Sequence, residues 1–156
     1  MVQAVNYRNE QPDVLKHEKN FHWHSKQLFL QQILAALESN HSLSSSNTNE
    51  LIRATIQCLG GPLHITALAV HTLCTLLELI PDGLEEDLVF LIAFTVLKFM
   101  DVPNHDEREV LACVLHALYK NSVAYRSGLR LLFGDTIIQP LRGLPLHQAT
   151  PQILDV

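Results

Sequence analysis

The chain has 156 residues, 47% of them apolar and 17% charged, with a formal net charge of -5. Such a length and apolar share suit one domain that buries a core without disulfides or metals, and exclude a wholly disordered chain. The acidic balance, with a pI near 5.9 and no two adjacent Lys/Arg residues, excludes direct docking on a nucleic-acid backbone. Charged residues fall below the roughly 25% usual for soluble domains, which points to a surface that meets a partner.

Residues 1–19 scatter their apolar positions among Asn, Gln, Glu and Lys and read as a flexible leader. They hold no apolar run long enough for a secretory signal, so the chain is expected in the nucleus or cytoplasm and not secreted. An α-helical domain is predicted over 20–134. From Phe21 onward, Leu28, Leu30, Ile33, Leu34 and Leu37 recur at helical spacing opposite Gln27, Gln31, Gln32 and Glu38. Ser39–Thr48 is turn and loop chemistry. Asn47 with Glu50 resembles a capping box for a short helix whose apolar positions are Leu51, Ile52, Ile56 and Leu59, ended by Gly60-Gly61. Pro62 suits the first position of the next helix, where its missing N–H would be unpaired. That helix runs to about Leu79 and is closed by Ile80-Pro81-Asp82-Gly83.

Leu88–Met100, LVFLIAFTVLKFM, is interrupted only by Thr95 and Lys98. Apolar almost all round, it predicts a central helix enclosed on every side, with Phe94 in the core. It is too short for a bilayer, which needs about 20 such residues. Asn104 with Glu107 is a second candidate capping box, and Val110, Leu111, Val114, Leu115 and Leu118 line a helix to about Lys120. A further short helix spans Val123–Phe133, and 135–156, with Pro140, Gly143, Pro145 and Pro151, read as an irregular tail.

Nothing along the chain specifies a reaction. G-x-S-x-G, G-x-G-x-x-G, G-x-x-x-x-G-K-[ST] and H-E-x-x-H are all missing. Glu85, Glu86 and Asp87 belong to a helix start, where the dipole favours negative charge. His22 and His24 are two apart, so on a helix they project to different sides, and only His17 stands at a fitting distance for a third ligand. Cys58, Cys74 and Cys113 are an odd set without C-x-x-C spacing and read as reduced, buried packing cysteines. No catalytic residue, cofactor or metal is expected.

With no alternating apolar segments and no hairpin turn between such segments, the class is all-α. Antiparallel helix pairs are expected, because the connections are short. A shift of 38 or 39 residues sets Leu51, Ile52, Ile56 and Leu59 beside Val89, Phe90, Phe94 and Leu97, and sets Cys74 and Leu76 beside Cys113 and Leu115. With two helix pairs at this period, 49–133 resemble the armadillo/HEAT class of α-helical repeats, a short solenoid; an irregular helical bundle is the alternative. In armadillo-like arrays the last helix of each unit lines the surface that holds a peptide or partner helix. The resemblance therefore implies a protein-binding face of His71, Thr75 and Glu78, in line with His64, and of Glu109, His116 and Lys120.

Leu59-Gly60-Gly61-Pro62 and the apolar runs after it also resemble large armadillo-like proteins of meiosis. That resemblance implies a nuclear role in meiotic double-strand break formation and chromosome synapsis. The expected function is a non-enzymatic scaffold or adaptor whose partner is another protein, without direct nucleic-acid or membrane contact. Two pairs fall short of the three or more units an array needs, so further repeats of a longer parent chain are also expected as partners. The competing reading is a small ligand-binding or enzymatic helical bundle with a pocket beside the central helix.

Overall fold

The computed structural model describes residues 11–39, 45–80 and 84–156. Among them there is no strand. The α-helices are α1 (Gln11–Glu38), α2 (Ser45–Ile56), α3 (Leu63–Leu79), α4 (Glu86–Met100), α5 (His105–Asn121), α6 (Arg126–Ile137) and α7 (Thr150–Leu154). Tight 3₁₀ turns at Val123–Tyr125 and Gln139–Arg142 flank α6. The chain is all-α, as its apolar periodicity predicts. α1 reaches back to Gln11, into the stretch read as a leader; 1–10, the loop at 40–44 and Pro81-Asp82-Gly83 lie outside the described residues. No described helix is long and apolar enough to cross a membrane.

The core is organised along α3 and α5, which pack against each other more extensively than any other two elements. From α3 it takes Ile65, Ala69, Val70, Leu73, Leu76 and Leu77, and from α5 Leu111, Ala112, Val114, Leu115 and Leu118. Each set recurs at three- and four-residue steps and forms one continuous helix face. α1 and α2 also lie against α3, α4 lies against α5 and α2, and α7 closes on α5 and α6.

The central apolar helix departs from expectation. In α4, Leu88, Val89, Ile92, Ala93, Val96, Leu97 and Met100 are buried, but Leu91 is exposed and Phe94 is 59% exposed. Neighbours α2 and α5 cover only one side of α4, and Phe90 of the other flank is half-buried against Gly128 of α6. The geometric reason is visible in the charges. Asp87, Leu91, Phe94 and Lys98 follow one another at steps of four, three and four residues, so all lie on one stripe of the helix. A stripe that begins and ends on a charge faces water, and the two apolar side chains between them go with it.

Gly60-Gly61 marks a crossing of four helices. After α2 the Cys58 N–H donates to the Thr55 carbonyl (2.9 Å) and the Leu59 N–H to that of Ile56 (3.1 Å), and Gly60 then turns with φ +75°. A Cβ on Gly60 would enter the Phe99 ring of α4, and one on Gly61 the Trp23 ring of α1. Only hydrogen-sized side chains let both rings settle on the backbone here. Pro62 sits one residue earlier than the sequence suggests, as the N-cap of α3, where its carbonyl accepts from the Ile65 and Thr66 N–H groups at 2.9 and 3.0 Å.

Of the two expected capping boxes, one is a cap. Asn104 Oδ1 accepts from the Asp106 and Glu107 N–H groups at 3.0 and 3.4 Å, which satisfies two donors at the start of α5. Asn47 instead lies inside α2, which begins at Ser45. At the other end of α5, the Arg126 guanidinium donates to the Tyr119 and Lys120 carbonyls (2.9 and 3.1 Å), and Arg126 and Arg130 both stack near the Tyr119 ring.

The C-terminal stretch is more regular than its glycines and prolines suggest. α6 continues through Gly134 to Ile137, and the Thr136 hydroxyl donates back to the Leu132 carbonyl at 3.0 Å. The chain then returns to the end of α4. There the buried His147 ring accepts the Ala149 N–H on Nδ1 (3.2 Å), so its proton is on Nε2 and is donated to the Leu97 carbonyl (3.1 Å). The Gln148 N–H donates to Asp101 Oδ1 at 3.1 Å, and Ala149, Gln152 and Ile153 are buried. Ala149 and Ile153 stand four apart, one helical turn, which is the apolar signal that the prolines obscure.

Candidate functional site

The side-by-side packing of α3 and α5 puts two polar stripes on neighbouring helices. His64, His71 and Glu78 are exposed on α3, and His105, Glu109, Cys113, His116 and Lys120 are exposed on α5 at steps of four, four, three and four residues. The opposite faces of both helices are taken up by the leucine-rich core, so these side chains have nowhere else to go. The two halves of the expected protein-binding face thus lie on adjoining elements.

They are not equally available. The Thr75 hydroxyl is half-buried and donates to the His71 carbonyl at 3.0 Å, so its donor is used within its own helix. Glu109 is engaged: its Oε1 accepts from Gln152 Nε2 at 2.6 Å and lies 3.6 Å from His105 Nε2. Glu109 is exposed as well but engaged, so His71, Glu78, His116 and Lys120 are the exposed members of the expected set outside these contacts. They offer both signs of charge and two imidazoles, which suits polar contacts to a protein ligand.

Two thiols stand where the two helices adjoin, Cys113 within the α5 stripe and Cys74 on α3. Cys74 Sγ on α3 donates to the Cys113 carbonyl on α5 at 3.7 Å, and Cys113 Sγ lies 3.6 Å from the Glu109 carbonyl. Cys74 is half-buried and Cys113 exposed, so the expectation of three buried cysteines holds for Cys58 alone. The reason is their place at the margin of the packed face, not its centre. Burial, then the neighbouring Cys113 and Glu78, push the Cys74 thiol up to about 11. Burial also raises Cys58, against the opposing pull of Lys26. The 39-residue shift had already set Cys74 beside Cys113, and that alignment was the available signal for the pair.

Among the described residues no three His, Cys, Asp or Glu side chains converge to hold a metal ion. His22 and His24 are both exposed on α1, where Trp23 between them turns inward and carries the Lys26 ammonium 4.5 Å from its ring centroid. The side chain of His17 lies outside the described residues. No family model, curated protein or solved structure matches the chain.

Proposed function

We propose that the chain is a non-enzymatic helical scaffold that binds another protein across the α3–α5 face, with its helices paired in the armadillo/HEAT manner. The observation that carries this reading is the order of contacts. α2 lies against α3 and α4 against α5 within each pair, while α2 meets α4 and α3 meets α5 between pairs. Cys74 touches Cys113 across a separation of 39 residues, the same period at which the sequence repeats. An array built this way leaves its second helices, α3 and α5, to present the ligand surface.

The test uses a photo-crosslinking amino acid placed at His71, at His116 and, as a control, at Arg53, which is exposed on α2. The expected result is crosslinking to one and the same protein from His71 and His116 but not from Arg53. Reversing charge with Glu78→Lys together with Lys120→Glu should weaken that complex about tenfold, equivalent to roughly 1.4 kcal/mol. Equal crosslinking from Arg53, or unchanged affinity in the double variant, contradicts the assignment of the face.

A narrower role comes from the resemblance at Leu59-Gly60-Gly61-Pro62 to meiosis inhibitor protein 1: nuclear participation in meiotic double-strand break formation and chromosome synapsis. Because those four residues also have the packing role described above, this part stands on its own test. Immunostaining of meiotic prophase chromosome spreads should place the protein in the nucleus; exclusion from it removes the meiotic role and leaves the scaffold reading intact.

A further inference from the structure

Cys74 packs at the edge of the leucine core, Cys113 stands outside it, and neither carries one of the charged groups of the face. They come from helices that are distant in sequence, yet Cys74 Sγ reaches the backbone carbonyl of Cys113 at 3.7 Å. Cys113 is open to solvent, while Cys74 is half-covered. Cys58 is separate: it is buried, and its thiol donates to the Ala54 carbonyl at 3.7 Å.

We propose that Cys74 and Cys113 form a reversible disulfide between α3 and α5 when the protein meets hydrogen peroxide. The exposed Cys113 reacts first. Its thiolate attacks one peroxide oxygen, the O–O bond breaks, and the other oxygen leaves as hydroxide, which takes up the thiol proton to become water. Cys113 is now a sulfenic acid. Cys74 loses its proton and attacks the Cys113 sulfur, the S–O bond breaks, and the departing hydroxide takes that proton as a second water. In balance, two thiols lose two electrons and two protons, and one peroxide becomes two waters.

The second step is the slow one near neutral pH, because burial, the largest cause, holds the Cys74 thiol above its ordinary range. Closure therefore speeds by roughly tenfold per pH unit over the range where Cys74 remains mostly protonated. The bond crosses the face between the His71–Glu78 stripe and the Glu109–His116 stripe and ties the two helices together there. The inference stands whether or not that face binds a protein.

The experiment treats the full chain with hydrogen peroxide and reads intact mass without reductant, followed by tandem mass-spectrometric mapping. The expected product is a monomer lighter by two hydrogens, with free thiols reduced from three to one, a Cys74–Cys113 link, and full reversal by a dithiol. Cys58→Ala should leave the link unchanged. Cys74→Ser should stop at a sulfenic acid on Cys113 that a dimedone probe captures, and Cys113→Ser should leave Cys74 reduced. A link to Cys58, a dimer joined through Cys113, or Cys113 oxidised to sulfinic acid while Cys74 stays alkylatable each overturns the proposal.

Discussion

Leu76→Asp is expected to abolish cooperative unfolding, and Phe94→Asp is expected to leave it intact. Leu76 is fully buried in the contact between α3 and its neighbours, so the substitution places an unpaired carboxylate where no water and no cation can reach it. Such a charge costs several kcal/mol, against a total stability of about 5–15 kcal/mol for a typical domain. Phe94 belongs to the solvent stripe between Asp87 and Lys98, and an aspartate there is hydrated from the start. Its expected cost is about 1 kcal/mol, or roughly 2–4 °C in Tm for a chain of this size. Circular-dichroism melts of the two variants decide the matter. A Leu76→Asp protein that melts normally, or a Phe94→Asp protein that does not fold, means that the inside and outside of the bundle have been exchanged.

The second large effect is expected at Gly60. Gly60→Ala forces a side chain into a backbone with φ +75° and into the space of the Phe99 ring. The left-handed backbone costs about 1–3 kcal/mol for a residue with a Cβ, and displacement of a packed ring adds a comparable overpacking cost of about 1–3 kcal/mol. A loss of about 2–6 kcal/mol in urea unfolding follows from adding these two ranges. Gly134→Ala is the matched control. Nothing lies within 4 Å of a Cβ at Gly134, which is inside α6, so alanine there should stabilise by about 0.5–1 kcal/mol. Equal effects at the two positions would show that Gly60 is an ordinary turn residue and that the rings do not close on it.

Much of this architecture is legible in the residues. α3 and α5 could be delimited because leucines recur on one face and because Asn104 and the Gly60-Gly61-Pro62 break are local signals with local causes. α4 was harder. Thirteen nearly unbroken apolar residues swamp any periodicity, and only the pairing of Asp87 with Lys98, eleven residues apart on one stripe, tells which side is wet. The C-terminal stretch was obscured differently. Its order comes from long-range bonds, His147 to Leu97 and Gln152 to Glu109, and no local propensity predicts a partner 50 or 43 residues away. For the face itself, spacing puts His71 with Glu78 and His116 with Lys120 on helix stripes that are exposed, but side-chain engagement is a tertiary fact. Thr75 and Glu109 could not be separated from the others until their partners were known. The thiol pair lay in plain view in the 39-residue alignment, yet an alignment cannot distinguish two equivalent positions from two touching ones.

The claim beneath all of this is that the α3–α5 contact is the spine of the protein, with α4 as a flanking helix open on one stripe. Native-state hydrogen exchange measures it directly. The slowest amides should fall in the buried turns of α3 around Leu73–Leu77 and of α5 around Leu111–Leu118, opening only with global unfolding. If those segments exchange through low-energy local opening while the α4 amides alone persist to the global limit, the spine is misplaced and the face built on it goes too.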